Sequence, residues 1–275
     1  MKDVVVGFIT GYTFDKIKPW VNSLDRCGFT GDKYIVCYDI DNTVMEELSS
    51  RNYKVVKADL NGTNIVLSRF KDLWHLFTNV IQKDYRYLIT TDVKDVVFQS
   101  NPSEWLEKNI NDKKINVACE SIHYKNEPWG DNNLRLSFGD IVHKSKRNNL
   151  IVNAGTISGE FRTMLDLALN IYFFCGRSPE YVSGGGGPDQ AALNVLLSLE
   201  PYKSMTNVAM SESGYAAQLG TTGPQVYDKF KQHLVEPVPI FKDGLVCTSE
   251  GIPFSIVHQY DRVPEWKNII EEKYA

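Results

Sequence analysis

The chain has 275 residues, of which 43% are hydrophobic and 23% are charged, and its formal net charge is -4. This is the composition of an ordinary globular protein, and the length is sufficient to bury a large core without disulfide bonds. The slight negative charge excludes a basic field for nucleic acid or for an anionic membrane, so we expect no nucleic-acid partner.

The first apolar run, at residues 4–9, is too short for a signal sequence or a membrane span and predicts a strand. The five cysteines are scattered without a C-x-x-C pair, which favours reduced thiols over a disulfide framework. We therefore expect a cytoplasmic protein with no membrane span.

Short apolar runs alternate with helical patterns through the first hundred residues. Strands are predicted at residues 4–9, 33–38, 53–56 and 87–90, and helices at residues 14–27, 41–51 and 65–81. Strand and helix in alternation predict an α/β fold with a parallel sheet and right-handed crossovers.

Beyond residue 100 the pattern is less regular. It predicts strands at residues 116–119 and 150–152 and helices at residues 161–174 and 188–199. A run of four glycines at residues 184–187 is either a flexible link or a loop where the backbone approaches a ligand. We expect a single domain over residues 1–275.

The most informative segment is YLITTDVKDVVFQ, at residues 87–99. An apolar strand ends in two carboxylates, Asp92 and Asp95, and apolar residues then resume. Ligands of open α/β sheets bind beyond the carboxyl ends of the strands, and paired carboxylates there suit Mg²⁺ or Mn²⁺. The alternative is a turn cap at Asp92 and a solvated Asp95, because a D-x-x-D spacing alone is weakly specific.

Together with the following Ser100-Asn101-Pro102, this segment resembles the acidic motif of GT-A glycosyltransferases. It is similar to a group in which Asp-x-x-Asp, two apolar residues and Phe-Gln-x-x-Pro replace the commoner D-x-D. Three further segments resemble motifs of the family in the expected order: Asn153-Ala154-Gly155, Asp189-Gln190 at a helix start, and a late histidine, His258. The extra residue between the aspartates leaves open which carboxylate contacts the metal.

The resemblance implies a GT-A type fold: a mostly parallel, Rossmann-like sheet with flanking helices and a smaller acceptor-side subregion. Residues of about 1–100 would form a nucleotide-binding half, and residues of about 101–275 an acceptor-binding half. The implied enzyme is a metal-dependent hexosyltransferase that moves a sugar from a nucleotide-diphosphate sugar, with UDP favoured, to a hydroxyl of a carbohydrate or glycan acceptor. Asp92, Asp95 and His258 would hold Mn²⁺ or Mg²⁺, although His258 is alternatively a packed strand histidine.

Two adjacent residues are the predicted catalytic pair. Asp189 would be the general base of an inverting enzyme, or Asp189 or Gln190 would brace the transition state of a retaining one. The alternative for Asp189 is an ordinary helix cap beside a proline.

The remaining candidates are contacts to the two substrates. Glu120 and Trp129, in a segment rich in polar and aromatic groups, are predicted acceptor-binding residues. The alternative for Glu120 and Trp129 is an ordinary surface loop; for Arg69, among the donor candidates, it is a solvated helix charge, and for residues 153–155 it is a common turn. The predicted donor-binding residues are Thr10, Gly11, Tyr12, Arg69, Asp92, Asn153, Ala154 and Gly155.

Two other classes of protein share some of these features. A metal-dependent phosphohydrolase or nucleotidyltransferase also places carboxylates at strand ends, but usually has a nucleophilic aspartate or a glycine-rich basic loop after its first strand. Here that strand ends in Thr10-Gly11. A carbohydrate-binding domain without catalysis would not need all three metal candidates.

Overall fold

A computed structural model describes residues 1–175 and 187–275, so three of the four glycines at 184–187 lie outside the described residues. The first hundred residues alternate strand and helix, as the sequence predicts. The strands are β1 (Val4–Thr10), β2 (Asp32–Tyr38), β3 (Lys54–Lys57), β4 (Tyr87–Thr91) and the short β5 (Val96–Phe98). The helices are α1 (Phe14–Arg26), α2 (Asn42–Ser50) and α3 (Ile65–His75), which continues as a π-helical turn, Leu76–Val80.

The rest of the chain mixes longer strands with short elements. Its strands are β6 (Ile115–His123), β7 (Leu150–Glu160), β8 (Thr206–Ala209), β9 (Ala216–Gln218), β10 (Ile240–Lys242), β11 (Leu245–Cys247) and β12 (Ile256–His258). Its helices are α4 (Pro102–Asn109), α5 (Pro128–Lys146), α6 (Phe161–Cys175), α7 (Pro188–Leu197), α8 (Tyr202–Met205), α9 (Leu219–Thr222), α10 (Pro224–Phe230) and α11 (Pro264–Lys273).

In the described residues the central sheet has seven strands in the order β3-β2-β1-β4-β7-β6-β8. Strands β1 to β4 are mutually parallel, and β6 pairs in parallel with β8. The expectation of a parallel sheet fails at β7, which is antiparallel to both β4 and β6. The fold is therefore α/β, with a mostly parallel, Rossmann-like central sheet and flanking helices.

Both faces of the central sheet are covered. Along β1, Val4, Val6 and Phe8 belong to a core packed against α3, α6 and α7, whereas Val5 and Ile9 belong to a core on the side of α1, α2 and α4. Burial on two faces explains why β1 is a continuous apolar run rather than an alternating one. Among the described helices, none combines the length and the apolar character that crossing a bilayer requires.

A separate three-stranded sheet, in the order β5-β12-β9, lies after the end of β4. Strand β12 is antiparallel to β5 and parallel to β9. Strand β5 lies more than a hundred residues before β9 and β12 in the chain, so this sheet joins the segment after β4 to the C-terminal part of the chain. This small sheet positions the late histidine.

Candidate metal centre and active-site cleft

A cleft of about 820 Å³ opens at the carboxyl ends of β1 and β4. These strands are neighbours, but the chain leaves β1 toward β2 on one side of the sheet and reaches β4 on the other. This is the switch point at which open α/β sheets bind their ligands. Phe8 and Tyr12 contribute to the cleft from the β1 side, and residues 91–95 contribute from the β4 side.

The two aspartates of the D-x-x-D segment face this cleft because the apolar residues around them are buried elsewhere. Val93 and the three residues of β5 are at most 2% exposed, and Val93 and Val96 pack in the core beside α1. The backbone N–H of Asp92 donates to the Gly155 carbonyl at 2.8 Å, and the Asp95 carbonyl accepts from the Gln259 N–H at 2.7 Å. Both carboxylates are therefore carried on a backbone fixed to β7 and to the residue after β12.

Strand register brings His258 to the same place. In the small sheet His258 pairs with Val96, the residue after Asp95. The Nε2 atom of His258 lies 3.5 Å from Asp92 Oδ2 and 3.7 Å from Asp95 Oδ1. One ligand atom from each of the three predicted metal residues falls within a 4.8 Å cluster that could hold a metal ion.

The histidine ring is oriented by a residue that the sequence did not indicate. Gln218 is the register partner of His258 on β9, and its Oε1 accepts a hydrogen bond from His258 Nδ1 at 2.7 Å. The Gln218 amide in turn donates to Thr156 Oγ1 at 2.9 Å, which fixes the amide orientation. With its proton on Nδ1, a neutral ring presents the Nε2 lone pair to the two carboxylates, the arrangement found behind metal-ligating histidines.

The charges of the cluster favour a cation. Burial lowers the pKa of His258, but the adjacent Asp95 and Asp92 carboxylates outweigh it, so the pKa is raised. Burial also raises the pKa of Asp95, against the attraction of the His258 charge. A divalent ion would supply the positive charge that the two carboxylates otherwise draw from His258, and carboxylate oxygens with an imidazole nitrogen suit Mn²⁺ or Mg²⁺. The residues present thus fit the predicted metal.

Gly155 is required by the crowding at this cluster. A Cβ atom at position 155 would lie 2.5 Å from His258 Cε1 and 2.8 Å from Asp92 Oδ2. The atoms that approach position 155 belong to side chains of the cluster, and the predicted contact of Gly155 with the donor stays a prediction.

Arg69 lies between two of the predicted site carboxylates. Its guanidinium pairs with Asp92 and with Asp189 Oδ2, the latter at 2.6 Å, and also donates to the Ala154 carbonyl at 3.3 Å. Burial acts to raise the pKa of Asp92, but the Arg69 charge and His258 hold it well below the usual range. Arg69 is therefore committed to two carboxylates, and its predicted contact with a nucleotide stays a prediction.

Asp189 is less available than a general base needs to be. Its side chain is 5% exposed; one oxygen pairs with Arg69, and the other accepts the Gln190 backbone N–H at 2.8 Å. Burial raises its pKa in spite of the Arg69 charge. Asp189 lies in the first turn of α7, whose N-cap is Gly187, so its bond to the Gln190 N–H is made inside the helix and not from the cap position that the alternative gave it. Its role as a base stays a prediction, and in that role the carboxylate would have to leave Arg69.

A second polar group lies on the other wall of the cleft. Asn153 Nδ2 donates to Glu120 Oε1 at 2.7 Å, and Asn153 Oδ1 accepts the Gly155 N–H at 2.6 Å. Gln190 Oε1 accepts the Ala154 N–H at 3.4 Å. Burial, which exceeds the opposing hydrogen bond from Asn153, raises the pKa of Glu120 to about 7.

The structure brings most of the predicted site residues together. Two of them, Thr10 and Gly11, end β1 without lining the cleft as described, so their donor contacts stay predictions. Residues that line the cleft but were not predicted include Thr221, Lys229, Phe230, Gln259 and Arg262. The predicted residues that line it are Tyr12, Arg69, Asp92, Asp95, Glu120, Trp129, Asn153, Ala154, Gly155, Asp189, Gln190 and His258.

Comparison with known proteins indicates no function for this cleft. No protein-family model matches the chain, and no curated protein matches it at a significant level.

Proposed function

We propose that this protein is a metal-dependent glycosyltransferase of the GT-A type, which moves a hexose from a nucleotide-diphosphate sugar to a hydroxyl of a carbohydrate or glycan. The observation that carries the proposal is the cluster of Asp92, Asp95 and His258 at the switch point of the sheet, inside a large cleft. The ordered motifs of the sequence support the same class.

The dimensions of the cleft support a nucleotide sugar as donor. Its volume of about 820 Å³ lies in the range of about 300–1,000 Å³ typical of small-molecule sites. Tyr12, beyond β1, is placed to stack on a base, with Thr10 and Gly11 beside it in the chain. Lys94, Lys229 and Arg262 also line the cleft and offer positive charge to phosphates. UDP is favoured as the commonest partner of such metal sites.

The chemistry assigned to the cluster is charge stabilisation. When bound, Mn²⁺ or Mg²⁺ would neutralise the charge that develops on the diphosphate as the sugar leaves. Asp92, Asp95 and His258 would hold the ion, and Gln218 would keep the histidine in the ligating tautomer.

The sugar would lie beside the metal cluster, against Asn153, Gly155 and Gln190. Gly155 has no side chain, so nothing at that position separates the sugar from the cluster. The acceptor would lie at Glu120 and the Trp129 ring, which line the same cleft.

Two observations weigh against the other classes. A phosphohydrolase of this kind usually has a nucleophilic aspartate after its first strand, yet the first carboxylate after β1, Asp15, lines a separate cavity of about 410 Å³. A binding domain would not need the half-buried Asp95 beside a buried histidine, because uncompensated carboxylates cost stability.

The five unpaired thiols agree with the reducing cytoplasm, which we propose as the location.

The direct test is a thermal-shift screen of nucleoside diphosphates and their sugars, each with and without Mn²⁺. A ligand that binds the native state stabilises it, by about 2.7 kcal/mol at a hundredfold excess over Kd, and so raises the melting temperature. We expect a shift with UDP or a UDP-sugar that requires the metal. No shift with any nucleotide at several millimolar, with or without metal, would rule the proposal out.

A further inference from the structure

The carboxylates that line the cleft differ in how they are engaged. Asp92 and Asp95 belong to the metal cluster, and Asp189 pairs with Arg69. Glu127 accepts the backbone N–H groups of Trp129 and Gly130, and so caps the start of α5. Each of these four is committed to a cation or to a helix terminus.

The fifth carboxylate, Glu120, is engaged differently. Its side-chain hydrogen bond is to a neutral amide: Asn153 Nδ2 donates to Oε1 at 2.7 Å. Among the cleft-lining carboxylates of the described residues, it is the one held by neither a cation, the metal cluster nor a backbone N–H. A residue that accepts a proton from a substrate needs this kind of free lone pair.

The backbone at Glu120 is fixed so that the residue stays in the cleft wall. The next residue, Ser121, has φ of 56°, and the β6–β7 register shifts between Cys119 and His123. Irregularities of this kind re-aim side chains. Thr221 Oγ1 holds the Glu120 carbonyl at 2.8 Å. Glu120 thus lies in the cleft as a placed group, although only 6% of its surface is exposed.

The surroundings of Glu120 match a sugar hydroxyl. Trp129, which is 40% exposed, lines the same cleft together with Thr221 and Phe230. An accessible aromatic face beside hydrogen-bonding groups suits a pyranose ring. On its other side Glu120 is linked through Asn153 to Gly155, which abuts the metal cluster.

We propose that Glu120 is the catalytic base that takes the proton of the acceptor hydroxyl, and that the acceptor is a saccharide stacked on Trp129. This inference rests on the proposed function. In the transfer, the bond between the acceptor oxygen and the anomeric carbon forms, and the bond from that carbon to the diphosphate oxygen breaks. The electron pair leaves with the diphosphate, and the hydroxyl proton passes to the Glu120 carboxylate.

The ionisation of Glu120 supports this role. Burial, helped by the Glu127 charge and opposed by the Asn153 hydrogen bond and His258, raises the pKa of Glu120 to about 7. A base works best when its pKa lies near the working pH. Asp189, paired with Arg69, lacks this freedom.

The experiment compares Glu120→Gln, Glu120→Asp and the wild-type protein. UDP binding with Mn²⁺ is measured by calorimetry. Turnover of UDP-hexoses is measured with a panel of mono- and disaccharides, and with water alone as the acceptor, so that the reading does not depend on finding the natural acceptor. A matched control is Glu236→Gln, because Glu236 accepts the Ser121 hydroxyl and two backbone N–H groups without lining the cleft.

We expect Glu120→Gln to lower kcat by about 10²–10⁴-fold with an unchanged Kd for UDP and Mn²⁺, as for other general bases. Glu120→Asp should recover part of the loss, and Glu236→Gln should change kcat little. Turnover of Glu120→Gln near the wild-type rate, or a parallel loss of UDP affinity, would overturn the assignment while leaving the glycosyltransferase proposal intact. Absence of metal-dependent UDP binding in the wild-type protein would instead overturn both.

Discussion

The two walls of the cleft hold their polar groups in opposite ways. On the metal wall, formed by Asp92, Asp95 and His258, the charged atoms that face one another stand 3.5 and 3.7 Å apart. On the amide wall, formed by Glu120, Asn153 and Gln190, Asn153 bonds its neighbours at 2.6 and 2.7 Å. The metal wall gathers two carboxylates and a histidine at one point, with Arg69 paired to Asp92 beside them, whereas the side chains of the amide wall are held by hydrogen bonds with amide groups.

This difference separates binding from transfer. Changes on the metal wall should weaken the cation and the nucleotide together, because both depend on the same charges. Changes on the amide wall should leave cation binding alone and affect the sugar. Substitutions on each wall can therefore test whether binding and transfer depend on different residues.

Asp95→Ala or His258→Ala should abolish metal-dependent nucleotide binding, with a loss of at least about 100-fold in Mn²⁺ affinity, because each removes one of three ligand side chains. The fold should remain, since burial disfavours the charged form of Asp95 in the metal-free protein. Calorimetric titration of Mn²⁺, and of UDP in its presence, provides the measurement. His143→Ala is the matched control, because that buried histidine pairs with Asp131 outside the cleft. An unchanged Mn²⁺ affinity in Asp95→Ala would remove the argument for the metal wall.

Asp189→Ala should lower turnover more than donor affinity, and it should also destabilise the fold. It leaves the buried Arg69 guanidinium with Asp92 as its remaining carboxylate. Removing one partner of a buried ion pair costs about 3–5 kcal/mol in general. Denaturant unfolding and kinetics on one preparation separate the effects, and Asp189→Asn, which keeps an acceptor at this position, should lose less. A loss of stability with kcat unchanged would favour the helix-terminus role.

Gly155→Ala should weaken Mn²⁺ binding by about 10-fold or more, since the added methyl group would fall 2.5 Å from the His258 ring. The fold should also lose stability, because overpacking a tight site costs about 1–3 kcal/mol. In a His258→Ala background the melting-temperature cost of Gly155→Ala should shrink, because the clashing ring is gone. Equal costs in both backgrounds would show that the crowding is not with His258.

Gln218→Leu should lower Mn²⁺ affinity by about 10-fold. This is the smaller end of the range expected when the hydrogen-bond partner of a metal-ligating residue is removed. The change removes the acceptor that holds the proton on His258 Nδ1. Gln218→Glu keeps that acceptor and should bind Mn²⁺ at least as tightly as Gln218→Leu does. If both variants bind Mn²⁺ like the wild-type protein, the tautomer of His258 is set by something else.

Gln218 also marks the limit of what the sequence could predict. Asp92 and Asp95 were found because a buried strand runs directly into them, which is a local signal. His258 was found through resemblance to a family motif. Gln218 lies 40 residues from His258 and meets it through the register of β9 and β12, which no local pattern encodes.

The fold likewise has parts that local sequence patterns predict and parts that contacts between distant segments determine. The elements of the first hundred residues follow from apolar runs and helical periodicity, because β1, β2 and β4 are buried along most of their length and each helix packs locally. The antiparallel direction of β7 and the pairing of β5 with β12 depend on contacts between distant segments. The predicted strands at 116–119 and 150–152 were too short, since the polar residues Glu120, Asn153 and Thr156 interrupt the apolar pattern while remaining buried in β6 and β7.

A last prediction, which involves neither the cation nor the nucleotide, is the pH dependence of stability at Glu120. Its pKa is raised from about 4.5 in the unfolded chain to about 7 in the fold, mainly by burial. The folded state therefore holds the proton more tightly, and the stabilisation it gives is complete below pH 4.5 and is lost as the pH rises toward 7. Glu120→Gln, which cannot ionise, should gain stability relative to the wild-type protein across that window, by at most about 1.4 kcal/mol per pH unit, and the difference should level off above pH 7. Urea unfolding of both proteins in EDTA from pH 4 to 8 measures the difference in their free energies of unfolding. The titration of groups common to both proteins, including Glu127 and His258, largely cancels in that difference. A difference that does not change with pH would mean that Glu120 titrates alike in the folded and unfolded states.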